Sequence, residues 1–189
     1  MAGHRFNPEK ADKLLDTKRK ELIDPEQVIS LLGLRKNDAV ADLGAGNGYF
    51  TIPLAKETND VVYAVDIEPK MLELLKERAS KENLKNIQFI ESDLENINLK
   101  ERSVSKAVVA FVMHEIPNME KALGEFKRIL KPNGTLLILE WEAVKTEAGP
   151  PLHERIASGD MEQFLWKNGL KSSAVSLNEA IYAVAIDIK

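Results

Sequence analysis

The sequence predicts an α/β fold built on a doubly wound, mostly parallel sheet. Three observations carry that prediction. Apolar strand-like runs alternate with amphipathic helical runs, the pattern of strands covered on both faces. A glycine-rich turn, Gly44-Ala45-Gly46-Asn47-Gly48, joins the first apolar strand to the helix after it. Finally, the last two strand-like runs are separated only by Asn178-Glu179. A connection that short can only be antiparallel, because a parallel crossover needs a dozen or more residues.

Each element has its own local reason. Asn7 to Glu21 reads as a charged helix with Ala11, Leu14 and Leu15 on one side, and Lys18-Arg19-Lys20 as its solvated face, the alternative being a basic patch over an active site. Asp24-Pro25-Glu26-Gln27 starts the next helix, with an acidic N-cap and proline in the first helical position. Val28, Ile29, Leu31 and Leu32 give that helix an apolar face, and Gly33 ends it. Strands are expected at Ala39 to Leu43, Val61 to Ile67, Ile87 to Ile90, Ala107 to Met113 and Thr135 to Trp141. Helices are expected at Phe50 to Glu57, Pro69 to Lys81 and Met119 to Leu130. Leu94 to Ser105 is polar and short and reads as a loop, as does Lys145 to Pro151, while Lys131 to Gly134 is a turn. Asp160 to Lys167 is a short helix closed by Gly169, and the hairpin strands are Leu170 to Leu177 and Ala180 to Ile188.

Composition narrows the function classes. The chain has 189 residues, 44% hydrophobic and 30% charged, as expected of one globular domain with a sizeable core. We expect residues 1–189 to form that single domain, with 1–23 as an N-terminal lid and 24–189 as the core. A net charge of −4 argues against a nucleic-acid or anionic-membrane partner. There is no cysteine, which excludes a disulfide framework, a thiolate metal site and a cysteine nucleophile. The three histidines are far apart in sequence and show no metal-ligand spacing, so no metal is expected. No apolar run is long enough to span a bilayer, and Met1 to Lys10 lacks the apolar core of a signal peptide, so a cytoplasmic location is expected.

In an open parallel sheet, ligands bind beyond the carboxyl ends of the strands, where the strand order reverses. The residues at those ends are Gly44 to Gly48, Asp66, Asp93, Met113-His114-Glu115 and Glu140-Trp141-Glu142. Asp66 directly ends its strand, where a carboxylate can accept hydrogen bonds from both hydroxyls of a ribose. The alternative, a helix N-cap, suits Glu68 better. Asp93 is placed to meet an exocyclic amine, with Ile67 and Leu94 as apolar walls for a ring. The turn is not a dinucleotide fingerprint, because Gly48 comes one position too early for G-x-G-x-x-G and Tyr49 stands there instead. It is not a P-loop either. A G-x-G-x-G turn after Asp42 suits a ligand without a pyrophosphate, such as one carrying a cationic amino-acid part.

These segments resemble, in order, the motifs of the class I S-adenosylmethionine-dependent methyltransferases. Val40 to Gly48, Val62 to Asp66, Phe89 to Asp93, Phe111 to Ile116 and Arg128 to Leu137 are similar to five successive family segments. The likeness runs from about Pro25 onward. It implies a Rossmann-like, doubly wound, seven-stranded sheet, mostly parallel with an antiparallel C-terminal strand. It also implies S-adenosyl-L-methionine as cofactor. By that resemblance Gly44 and Gly46 pass beneath the methionine part and Asp42 helps hold its ammonium. Asp66 takes the ribose hydroxyls with Ile67 against the adenine, and Asp93 meets the adenine amino group with Leu94 beside it. Phe111 offers a main-chain carbonyl near the cofactor amine. Ubiquinone/menaquinone-biosynthesis-type enzymes are the nearest pattern, although Ser105-Lys106 stands where members often carry an aspartate. No Asn/Asp-Pro-Pro-Tyr follows the fourth strand, which argues against methylation of adenine in DNA.

The expectation is therefore a methyltransferase acting on a small-molecule acceptor by in-line transfer, with no nucleic-acid partner and no membrane insertion. Catalysis by alignment alone can contribute about 7–11 kcal/mol. Where the acceptor must lose a proton, a base helps, and His114 at the end of the fourth strand is the first candidate. It could instead merely fix a neighbouring loop. Glu142 is a weaker candidate, and His153 sits in the loop expected to cover the acceptor (Ala143 to Arg155), together with the His4 to Ile23 segment. Tyr49 is read either as closing over the cofactor or as packing under the first helix. The competing readings are a cofactor-binding regulator or scaffold without catalysis, and an NAD-dependent reductase.

Overall fold

The computed structural model describes residues 22–189. The Asn7 to Glu21 helix, the Lys18-Arg19-Lys20 run and almost all of the His4 to Ile23 segment lie outside the described residues. In chain order the elements are α1 (Pro25–Leu32), β1 (Val40–Leu43), α2 (Thr51–Glu57), β2 (Val62–Asp66), α3 (Pro69–Lys81) and β3 (Ile87–Glu91). Then follow β4 (Val104–Ala110), α4 (Met119–Ile129), β5 (Leu130–Trp141), α5 (Ser158–Lys167), β6 (Ala174–Ser176) and β7 (Ile181–Asp187).

The seven strands form one sheet in the order β3-β2-β1-β4-β5-β7-β6. Strands β1 to β5 pair in parallel, and β7 runs antiparallel to both β5 and β6. The order reverses between β1 and β4, which opens a crevice beyond their carboxyl ends. Alternate residues of each strand feed opposite faces. Val40, Val62, Val108, Leu137 and Leu139 pack with Val28 and Leu32 of α1 and Leu54 of α2. Ala41, Ala107, Val109, Leu136 and Ile138 pack with Leu123 and Phe126 of α4 and Met161 and Leu165 of α5. Leu72 and Leu75 of α3 cover Ala64.

The caps behave as their chemistry dictates. Asp24 accepts from the Glu26 N–H at 3.1 Å, and Gly33 closes α1 with φ +60°. Glu68, not Asp66, caps α3 through the Lys70 N–H at 3.3 Å. Two expectations shift. Strand β4 begins three residues early and stops at Ala110, because Phe111 takes φ +60° and Met113–Glu115 forms a single 3-10 turn. Strand β5 begins at Leu130 rather than Thr135, since Leu130 already pairs with Val104. The Lys131 to Gly134 turn survives as an irregularity inside that ladder, with Asn133 at φ +62°. The first hairpin strand is also shorter than expected, because only Ala174 to Ser176 pair with β7.

Candidate active site

The glycine turn is held from two sides. The N–H groups of Gly44 and Ala45 both donate to the Val65 carbonyl of β2, at 2.8 and 3.0 Å. Gly44 has φ +80°, and a Cβ there would lie 3.0 to 3.2 Å from the Val112 side chain, which packs against it. Gly46 donates its N–H to Asp66 Oδ2 at 2.7 Å, and the Glu68 N–H reaches Asp66 Oδ1 at 2.9 Å. The β2 carboxylate therefore bridges to the β1 turn across the mouth of the crevice. Burial pushes its pKa up, and the main-chain donors only partly offset this.

The other expected residues sit at or just beyond the ends of β1 to β4. Asp42 is buried in β1 and accepts from the Thr51 hydroxyl at 2.5 Å, so its carboxylate also anchors α2. Ile67 is 39% exposed directly after Asp66, an isoleucine left uncovered at a strand end. Asp93 is exposed, with Oδ1 accepting from the Glu95 N–H at 2.8 Å, and Leu94 beside it is buried. Phe111 lies at the end of β4, its N–H bonded to the Leu139 carbonyl at 2.9 Å and its ring 5.3 Å from Trp141. Tyr49 packs edge-on against Phe50 and donates its hydroxyl to the Ile23 carbonyl at 2.7 Å.

On the α4/α5 side of the sheet, His114 is buried and folds back over the end of β5. Its Nδ1 lies 2.9 Å from Glu140 Oε2, and its main-chain N–H donates to the same oxygen at 3.3 Å. Glu140 is 0% exposed, and its other oxygen accepts from the Trp141 N–H at 2.8 Å. Burial opposes charge on the imidazole, but the hydrogen bond and charge of Glu140, with Glu115 and Glu154 adding to them, raise its pKa overall. His114 lines a cleft of about 410 Å³ with the apolar Met113, Ile116, Met119, Ile156 and Phe164 and the polar Asn118, Glu120, His153, Glu154 and Arg155. A larger depression of about 540 Å³ runs along α3, bordered by Glu73, Lys76, Glu77, Ser80 and Lys81, far from any strand end.

The remaining candidates belong to the segment after β5. Glu142 Oε1 accepts from the Ala143 and Ser158 N–H groups, at 2.9 and 3.2 Å, and so holds the start of α5. The His153 side chain is 79% exposed. Sequence reasoning missed three residues. Glu140 reads in the sequence as a strand end, with nothing to mark it as the histidine's partner. Arg155 reads only as the end of a loop. Its guanidinium stacks 5.3 Å from the Trp141 ring and donates to the carbonyls of Pro150 (2.9 Å), Val144 (2.6 Å) and Ala148 (2.7 Å). Arg78 reaches from α3 to the Asn47 carbonyl in the glycine turn.

The methyltransferase domain family matches residues 34–172, which span every strand end described above except those of β6 and β7. A crystal structure of an S-adenosylmethionine-dependent methyltransferase from Aquifex aeolicus superposes with TM-score 0.92. It is 31% identical and covers 98% of this chain and 100% of its own. The chain belongs to the methyltransferase domain family. A ubiquinone/menaquinone biosynthesis C-methyltransferase of Rhizobium rhizogenes is 32% identical over 136 residues, 69% of this chain and 51% of that enzyme. The chain thus spans about half the length of the curated relatives it matches. A Pyrococcus horikoshii protein with 18% identity and TM-score 0.73 covers 92% of this chain and 91% of its own, and shares the fold alone. Among the described residues no helix is long and apolar enough to cross a membrane.

Proposed function

We propose that this family member transfers a methyl group from S-adenosylmethionine to a small-molecule acceptor. The observation that carries this reading is the bridge from Asp66 to Gly46, which sets an acid at the end of β2 against a glycine turn at the point of strand reversal. The residues present fit the cofactor chemically. Gly44 and Gly46, at φ +80° and +54°, let the main chain itself turn toward the cofactor. Asp66 offers a carboxylate suited to a diol, and Asp93 offers one suited to an amine. Ile67 and Leu94 supply apolar walls for a purine. Asp42 and the Phe111 carbonyl are the acceptors proposed for the amino-acid part. When bound, the cofactor supplies a methyl group already activated on a sulfonium.

The protein's own task is then largely alignment and exclusion of water. The cleft beside His114 is the proposed acceptor site. Ile116, Met119, Ile156 and Phe164 give this mixed polar and apolar cleft a surface for the ring of a quinone-like molecule, the class named for the biosynthetic relatives, and His114 is the proposed base for the proton such an acceptor gives up. Calorimetry with S-adenosylhomocysteine and with NAD tests the cofactor. Micromolar binding of the first, weakened about tenfold or more in Asp66→Ala, is expected. Binding of NAD alone would overturn the reading. A methyl-transfer screen over phenolic and quinol acceptors then tests the substrate class.

A further inference from the structure

We propose that Glu140 is a positioning residue that presents His114 to the acceptor cleft in one tautomer, with the proton on Nδ1 and the Nε2 lone pair facing the cleft. This deepens the reading of His114 as the base and rests on it.

The geometry carries the argument. Strand β5 alternates, so Leu139 and Trp141 face α1 and α2 while Ile138 faces α4 and α5. Glu140 shares the face of Ile138. A carboxylate there has no access to water. Leaving it charged and unpaired would cost several kcal/mol, so it must be matched by donors. Its partners are the His114 ring, the His114 N–H and the Trp141 N–H. An ionised carboxylate only accepts, so the nitrogen 2.9 Å away, Nδ1, must carry the proton. When the imidazole is neutral, Nε2 is then the free base. The main-chain bond to the same carboxylate oxygen fixes the ring's origin as well as its tilt. Two contacts from a single carboxylate therefore set both the position and the protonation of one side chain.

The charge balance of the step agrees. As the acceptor oxygen or carbon bonds to the methyl carbon, the carbon–sulfur bond breaks and its electron pair stays on sulfur. The acceptor's proton passes to Nε2. Positive charge moves to an imidazolium that Glu140 already faces. Glu115 on the same turn lies 3.8 Å from Nε2, Glu154 adds negative charge from the loop after β5, and Glu120, His153 and Arg155 also border the cleft.

The test is a long-range ¹H–¹⁵N correlation spectrum of the histidine-labelled full chain with S-adenosylhomocysteine, recorded across pH for the wild type, Glu140→Gln and His114→Gln. The last variant assigns the His114 signals. The wild-type ring should be the Nδ1–H tautomer when neutral. Its titration midpoint should fall by about one pH unit, a tenfold change in proton affinity, in Glu140→Gln. Exposed His153 should not move. An Nε2–H tautomer in the wild type, or a midpoint indifferent to Glu140→Gln, would overturn the proposal. The wild-type spectrum alone decides the tautomer should the variant fail to fold. Failure of the methyltransferase reading would instead appear as absent S-adenosylhomocysteine binding in the same samples, with the tautomer unaffected.

Discussion

The Arg78 guanidinium on α3 donates a hydrogen bond to the Asn47 main-chain carbonyl, so the helix after β2 holds the glycine turn after β1. One turn earlier on the same helix face, Leu75 fills the space beside Gly48. Burial pulls the guanidinium's pKa below its usual value, yet arginine stays charged at any working pH. Hydrogen bonds from charged donors contribute about 1.5–3 kcal/mol. Arg78→Met should therefore weaken S-adenosylhomocysteine binding about tenfold by calorimetry. An unchanged affinity would mean that the turn holds its shape without the tether.

Gly48 tests the same contact from the other side. Its φ is +87°, and a Cβ would come within 2.0 Å of Leu75 Cδ1. Left-handed backbone costs an L-residue roughly 1–2 kcal/mol, and overpacking adds about 1–3. Gly48→Ala should lower unfolding stability by about 3 kcal/mol in urea. In Gly48→Ala with Leu75→Ala the clash is gone, so the combined loss should be smaller than the sum of the two single losses. Strict additivity would refute the steric account.

The strands, their helices and the strand-end residues were legible because apolar runs, glycines and caps are local signals. Asp66 and Glu68 sit two positions apart, and their division of labour between crevice and cap follows from the direction of one strand end. The pairing of His114 with Glu140 was not legible. It joins residues 26 positions apart, and it depends on Phe111 leaving the strand at φ +60° so that the chain folds back over β5. A phenylalanine in a left-handed conformation leaves no mark in a hydrophobicity pattern. The anchoring of α5 by Glu142 was equally hidden. Its task at the start of α5 depends on where the loop after β5 returns.

Arg155 is what makes that return. Its guanidinium gathers the carbonyls of Val144, Ala148 and Pro150 while its Cζ lies 5.3 Å over the Trp141 ring. Lysine keeps the charge but not the fork, and cannot bond several carbonyls in one plane. Arg155→Lys should leave global stability within about 1 kcal/mol, because the loop is peripheral. Limited proteolysis between residues 143 and 151 should become about tenfold faster. Cleavage at the wild-type rate would show that the loop is ordered by other contacts.

His114 carries a pH signature that needs no substrate. Desolvation works against its charged form, but the Glu140 hydrogen bond and charge, with Glu115 and Glu154, hold its pKa above the ordinary 6.5 in the folded protein. In the unfolded chain the ring loses its proton near pH 6.5. Between that value and the higher folded one, the native state binds more protons than the unfolded state. Stability therefore falls as pH rises through this window. The contribution is fully present below about pH 6.5 and is lost as pH passes the folded value, amounting to about 1.4 kcal/mol for each pH unit by which the titration is raised. Urea denaturation of the wild type from pH 5.5 to 9 should show this decline. His114→Gln, in which Glu140 loses its imidazole partner, should lack that component of the slope. Equal slopes in the two proteins would show that the buried carboxylate does not hold a proton on His114.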